Sequence, residues 1–197
     1  MESFEFYEGS IPLLISMPHN GTLIPDHLKP LMSEAALKVP DTDWYMDRLY
    51  NFARQFGCHM LKPLYSRYVV DLNRSPGNKE LYPGQNSTGV CPLYTFADEK
   101  IYIDSPPDSN DIQSRLKKYY QPYHDKLSSW IESSISANGL AVIYEAHSIK
   151  SIVPKLFKGT LPDINLGTND GLSCALELAQ LVWGQTQNGS YSSVMND

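Results

Sequence analysis

The segment with the strongest consequences for the fold is residues 11–21, IPLLISMPHNG, an apolar run that stops at a histidine in a turn. Leu13, Leu14 and Ile15 read as a strand covered on both faces, because an uninterrupted apolar run bounded by turn residues needs burial above and below. Pro18 holds Met17 extended and Asn20-Gly21 is a turn dipeptide, which puts His19 where the strand leaves its sheet. In open α/β sheets such exits are where ligands are bound. Taken alone, His19 reads sooner as a surface-turn histidine whose ring bonds nearby backbone, and only the rest of the chain shifts that reading.

A second run of the same kind follows Gly139: Leu140, Ala141, Val142, Ile143 and Tyr144 end in Glu145-Ala146-His147-Ser148, so two buried strands finish on histidines. Between them, Pro25 and Pro30 limit residues 23–37 to loop and at most a short helix. A helix is predicted to begin near Asp43, with Tyr45, Leu49, Phe52, Ala53 and Phe56 at three- and four-residue spacing, Asp41 or Thr42 as its cap and Gly57 as its stop. Residues 58–64 and 65–72 are extended in character, the second ending in the polar sequence DLNRSP. Residues 77–110 are crowded with Gly, Pro, Asn and Ser, a long connection of the kind that carries function. A helix over 112–136 presents Leu116, Tyr120, Tyr123, Leu127, Trp130 and Ile131 on one face, kinked or divided at Pro122. A loop over 155–171 leads to a last helix over 173–183, with Leu178, Leu181 and Val182 inward, and a tail with at most one short extended piece. Strands alternating with helical patterns predict α/β architecture, and 197 residues predict one domain.

Composition matters here for what it excludes. A formal net charge of −6 without a basic run argues against nucleic acid and against an anionic membrane surface, leaving a small-molecule substrate as the expected partner. Cys58, Cys91 and Cys174 are odd in number and lack CxxC spacing, so neither a disulfide framework nor a cysteine zinc site is expected. The N-terminus carries acidic residues where a signal peptide has basic ones, and no apolar stretch reaches membrane-spanning length; a cytoplasmic location is expected.

Two strand-terminal histidines with one acidic residue make the three-ligand set of a catalytic zinc, which leaves a fourth position for water. Such an ion lowers the pKa of its water toward about 7 and polarises a carbonyl. The candidates for the acid are Asp41, Asp43, Asp47 and Glu145, and Asp41 and Asp43 suit helix capping as well. Arg74, preceded by Asn73, offers a planar fork for a substrate carboxylate, or pairs with Asp71. Arg67 either polarises a carbonyl or sits at the surface. Nucleophilic catalysis has no support, since no GxSxG occurs and no cysteine has a local base, and there is no HExxH helix. His124, on an aromatic helical face, reads as a core histidine.

Six stretches carry a resemblance: SMPHNG (16–21), PDTDWYMDRLY (40–50), YSRYVVDLNRSP (65–76), LYPGQNSTGVCP (81–92), EAHSIKS (145–151) and LFKGTLPDINLGTNDGLSC (156–174). In this order they resemble the N-formylglutamate amidohydrolases, or N-formylglutamate deformylases, which hydrolyse N-formyl-L-glutamate to formate and L-glutamate in histidine degradation. The resemblance implies a three-layer α/β sandwich with a mixed, mostly parallel sheet, of the zinc carboxypeptidase/aspartoacylase-like (phosphorylase/hydrolase-like) kind. It implies a divalent metal, zinc, held by His19, Asp43 and His147. Asp43 stands in for the relatives' glutamate three residues after the first histidine, where this chain has Thr22. It further implies that Asn73 and Arg74 grip the substrate carboxylate, that Arg67 faces the carbonyl oxygen, and that the loop 167–171, with Asn169 and Asp170, lines the pocket.

Two departures accompany it. Members usually read DAHS where this chain has Glu145, a longer acid that shifts the contact made to the histidine. Members also continue past the segment resembling residues 191–196 to a late strand whose glutamate looks like the general base, and no residue here matches it. The resemblance therefore implies a single domain, residues 1–197, incomplete at its C-terminal end, and a chain that is weakly active or inactive. The alternatives are a non-catalytic metal- or ligand-binding remnant and an amidohydrolase for another N-acyl amino acid.

Overall fold

Strands β1 (Phe4–Tyr7), β2 (Leu13–Ser16), β3 (His59–Pro63) and β4 (Val142–Glu145) form one sheet in the order β1-β3-β2-β4. The computed structural model describes residues 2–77, 89–154 and 157–196, grouped in two units, Met1–Ile149 and Lys150–Asp197, and this sheet belongs to the first. β2 runs parallel to both its neighbours, and β1 is antiparallel to β3 with Phe4 opposite Pro63 and Tyr7 opposite Met60. The sheet is thus mixed and mostly parallel, in an α/β arrangement, as the alternation of patterns predicts.

The pleat explains why the central strand is apolar throughout. Successive side chains point to opposite faces, so Leu14 and Leu61 enter a cluster with Tyr68, Val69, Ile101, Tyr123 and Trp130, whereas Ile15 and Met60 enter another with Met17, Met46, Ala53 and Ala146. Both faces are covered. β1 was not anticipated, since its period-two signal spans only four residues and includes the polar Glu5.

Two helical expectations are corrected. Where one helix was expected from Asp43 to Phe56, after the short helix α1 (Glu34–Leu37), the chain forms a single turn, α2 (Met46–Leu49), and then a 3-10 segment, Asn51–Phe56. Neither Asp41 nor Thr42 caps it; the N-cap is Tyr45, in the left-handed region at φ 62, with no side-chain cap. The change from 3.6 to 3.0 residues per turn breaks the predicted stripe. Met46 and Ala53 face the core, and Leu49, Phe52 and Phe56 are exposed. Gly57 does end the segment, at φ 80.

The helix expected over 112–136 runs as α3 (Ser109–Arg115), a π turn (Leu116–Tyr120) and α4 (Gln121–Asn138). Pro122 has no N–H for the carbonyl four residues back, and the wider π turn lies immediately before it. Asp108 caps the start, its carboxylate accepting from the Asp111 N–H at 2.8 Å, and Gly139 stops the end at φ 75. Residues 65–72 are not a strand but a buried turn, because their polar groups bond locally: the Ser66 hydroxyl accepts from Tyr68 N–H and the Ser66 carbonyl from Val69 N–H.

Gly21 packs so closely on the next turn that a Cβ would lie 2.1 Å from the Tyr65 carbonyl oxygen. Gly21→Ala is expected to cost about 1–3 kcal/mol through the forced backbone shift, read as a lowered urea midpoint at constant slope; a midpoint equal to that of the parent chain excludes this packing.

In the second unit, β5 (Ile164–Leu166) pairs in parallel with β6 (Ser193–Met195), and α5 (Leu176–Thr186) lies between them in sequence. On α5 the expected inward set is corrected: Ala179 is buried, Leu178 is half-buried, and Leu181 and Val182 are exposed. Of the loops expected over 77–110 and 155–171, and of the LYPGQNSTGVCP and LFKGT motifs in them, residues 78–88 and 155–156 lie outside the described residues. Among the described residues no helix is long and apolar enough to cross a membrane.

Candidate metal centre

His19 is placed by a turn that begins as β2 ends. Met17 N–H donates to the Leu61 carbonyl at 2.9 Å, prolonging the pairing with β3, and Asn20 N–H donates to the Met17 carbonyl at 3.1 Å. The turn therefore spans residues 17–20, with Pro18 at its second position, where a ring-fixed φ suits a tight turn. That is earlier than the Asn20-Gly21 turn predicted, and it leaves His19 buried at the strand exit rather than on the surface.

The same turn selects the acid. Asp43 N–H donates to the His19 carbonyl at 3.0 Å, and the Asn20 side-chain amide donates to the Asp43 carbonyl at 3.0 Å. These two bonds stitch the loop before α2 onto the His19 turn and bring the Asp43 carboxylate to the histidines. Glu145 lies against the opposite ring nitrogen of His147, its Oε1 2.7 Å from Nε2, and the other two aspartates are engaged elsewhere. Asp41 accepts from the Tyr68 hydroxyl at 2.6 Å and the Phe96 N–H at 2.8 Å, and Asp47 pairs with Lys62 at 2.9 Å. β4 delivers His147 two residues beyond its end, after Ala146 N–H has donated to the Ser16 carbonyl at 2.8 Å.

His19, Asp43 and His147 each place one donor atom so that all three lie within 4.8 Å of one another. Asp43 Oδ2 is 3.1 Å from His147 Nδ1 and 3.9 Å from His19 Nδ1. Two imidazole nitrogens and a carboxylate oxygen form a donor set suited to a divalent ion such as zinc, and donors about 2 Å from a tetrahedral ion are about 3.3 Å apart. The residues present fit such an ion.

A residue that sequence reasoning named only as a partner for Arg74 organises one side of this cluster. Asp71 is fully buried, and its Oδ1 accepts from His19 Nε2–H at 2.8 Å and from Asn73 N–H at 2.9 Å. Its Oδ2 accepts from Arg67 Nη2 at 2.6 Å. Burial alone raises a carboxyl, but Arg67 and His19 beside it hold Asp71 well below the usual carboxylate range. With the His19 proton on Nε2, Nδ1 keeps its lone pair, facing Arg67 Nη1 at 3.4 Å on the Asp43 side. Burial and then the Arg67 charge push the His19 pKa down, keeping the ring neutral as ligation requires. The signal for Asp71 in the sequence was its place two residues before Asn73 at a polar chain reversal.

Arg67, for which a surface position was one expectation, is buried and held by Asp71. Arg74 Nη1 donates to the Asn73 carbonyl at 2.7 Å, and the Asn73 amide lies 3.2 Å from His147 Nε2, so the NR pair borders the cluster. His124 is the core histidine expected: Nε2–H donates to the Leu72 carbonyl at 2.9 Å and the ring stacks on Tyr120. Asn169 and Asp170 lie in the second unit, both in the left-handed region at φ 48 and 53.

His147 differs from His19 in charge. Burial lowers its pKa, but hydrogen bonds to Asp43 and Glu145 outweigh this and raise it from the ordinary 6.5 to about 9. In the metal-free chain this interaction is fully present below pH 6.5 and is lost as pH rises through about 9. The thermal midpoint of metal-free protein is therefore expected to fall between those values, with the slope reduced in His147→Gln; a wild-type midpoint flat across that window excludes a charged His147.

Fold and site together define an α/β chain whose strand exits gather two histidines and an aspartate. The sequence matches the N-formylglutamate amidohydrolase family over residues 11–197. The chain belongs to that family. An N-formylglutamate deformylase of Pseudomonas putida is 40% identical over 193 residues, covering 97% of this chain and 72% of that protein. Its counterpart in Pseudomonas aeruginosa is 41% identical over 179 residues, covering 90% and 67%. The crystal structure of an N-formylglutamate amidohydrolase from Ralstonia eutropha JMP134 superposes over 100% of this chain and 77% of that one, with a TM-score of 0.80 at 23% identity, a likeness of fold.

Proposed function

We propose that this chain hydrolyses N-formyl-L-glutamate to formate and L-glutamate, as a cytoplasmic enzyme of histidine catabolism with a zinc carboxypeptidase/aspartoacylase-like fold in a single domain. The observation that carries the reading is the convergence of His19, Asp43 and His147 at two strand exits in a chain of this family. These residues hold a divalent metal, zinc by its donor chemistry, and the ion when bound supplies a Lewis acid for the formyl carbonyl and an acidified water.

The remaining work falls to the chain's own groups. Arg74 holds a glutamate carboxylate through its planar fork, with the Asn73 amide beside it. Arg67, whose Nη2 is held by Asp71, keeps Nη1 on the His19 side of the cluster, where it polarises the carbonyl oxygen. Asp71 fixes His19 with its proton on Nε2. Asn169 and Asp170 contribute to substrate binding from the loop 167–171. The test is formate release from N-formyl-L-glutamate by purified protein, stripped with a chelator and reconstituted with zinc. Turnover that disappears on stripping and returns with zinc supports the reading; turnover indifferent to the chelator overturns the metal, and equal turnover of N-acetyl-L-glutamate overturns the substrate.

A further inference from the structure

We propose that Glu145 is a positioning residue that keeps the proton of His147 on Nε2, so that Nδ1 offers its lone pair beside Asp43 and the Asn73 amide is released from the histidine for substrate. The inference rests on the metal reading above and assigns a role to a side chain outside the ligand set.

Three groups converge on the His147 ring. Asp43 Oδ2 lies 3.1 Å from Nδ1, while Glu145 Oε1, at 2.7 Å, and Asn73 Nδ2, at 3.2 Å, both address Nε2. The two neighbours of Nε2 demand opposite things. A carboxylate only accepts, so Glu145 requires a proton on Nε2; an amide N–H only donates, so Asn73 requires a lone pair there. A neutral imidazole carries one proton. If it sits on Nε2 and donates to Glu145, Nδ1 is open toward Asp43 and His19. If Asn73 donates to Nε2, the proton moves to Nδ1, donates to Asp43 and closes the site.

The backbone favours Glu145 in this contest. Glu145 is the last residue of β4, Ala146 after it is buried and donates its N–H to the Ser16 carbonyl, and the Glu145 carboxylate meets the ring of His147 two residues on. A charged acceptor at 2.7 Å is also the stronger partner than a neutral amide at 3.2 Å. At the other histidine Asp71 imposes the same arrangement, with the proton on Nε2 and the lone pair on Nδ1. Each ring is thus oriented by its own carboxylate.

The experiment measures zinc affinity by competition with a chromophoric chelator, and the His147 ring by long-range proton–nitrogen NMR of the zinc-loaded chain. Glu145 is 44% exposed, so its replacement leaves the core intact, which circular dichroism of the stripped protein verifies. Glu145→Ala is expected to raise the zinc Kd by about 10–100-fold. Glu145→Gln, which keeps an acceptor without charge, is expected to fall between, and Asn73→Ala in the Glu145→Ala background to recover part of the loss by removing the competing donor. A merely structural role for Glu145 predicts no such recovery. Wild-type zinc affinity in Glu145→Ala, or a wild-type His147 protonated on Nδ1, overturns the inference. A wild-type chain that takes up no zinc overturns instead the metal reading on which it rests.

Discussion

Replacing His147 with alanine is expected to lower zinc-dependent formate release from N-formyl-L-glutamate by about 10³-fold or more. A bound divalent ion is worth several kcal/mol of transition-state charge stabilisation, and each 1.36 kcal/mol is tenfold in rate, which sets that scale. The variant isolates chemistry from folding, because His147 lies beyond the end of β4 and is exposed, whereas His19 is buried and bonded to Asp71. Its zinc-free thermal midpoint below pH 6 is expected to drop only modestly, by loss of the bonds to Asp43 and Glu145. Asp43→Asn is expected to behave similarly in rate, and Asp47→Asn to leave turnover unchanged, since Asp47 pairs with Lys62 away from the cluster. A His147→Ala protein that turns over substrate at the parent rate removes His147 from the site.

The largest effect on stability is expected from Asp71→Ala, at about 3–5 kcal/mol, the range found when one partner of a buried ion pair is removed. Asp71 has no exposed surface and accepts from three donors, His19 Nε2, Asn73 N and Arg67 Nη2. Its loss strands the Arg67 guanidinium, itself buried, without its carboxylate. Asp71→Asn keeps an acceptor and is expected to cost less while still weakening zinc binding, because the amide holds the His19 proton on Nε2 less firmly. Urea unfolding of chelator-stripped protein separates the two effects: a lowered midpoint at unchanged slope reports stability alone. Asp71→Ala within about 0.5 kcal/mol of the parent chain, the range of a surface change, contradicts the buried network.

Several parts of this arrangement were legible in the linear order of residues. Apolar runs at Leu13 and Leu140, each bounded by turn residues, identify β2 and β4; β2 is buried as expected, whereas β4, last in the strand order, leaves Ile143, Tyr144 and Glu145 exposed, so the expectation of a second buried strand is corrected. Gly57, Gly139 and the aromatic spacing of α4 are likewise local signals with local causes. The 65–72 segment misled, since its β-branched residues satisfy the strand pattern while Ser66 and Asp71 close it into a turn. Helical spacing from Asp43 misled in the same way, because Tyr45 and the 3-10 geometry after Leu49 rotate the stripe away from the core.

What the sequence determined, then, was the set of chemical groups and the ends of the elements that carry them, properties written into neighbours a few residues apart. Which aspartate faces the histidines was decided only in three dimensions. Local spacing and propensity do not rank Asp41, Asp43 and Asp47, among which only the family resemblance points to Asp43, and the bonds from Asp43 N–H to the His19 carbonyl and from the Asn20 amide to the Asp43 carbonyl are what bring that one to the histidines. The pairing of Asp71 with His19 joins residues 52 apart, and that of Asp43 with His147 joins residues 104 apart. Such distances carry no periodicity; the parallel register of β2 with β3 and β4 brings these ends together, and the register is a property of the packed sheet.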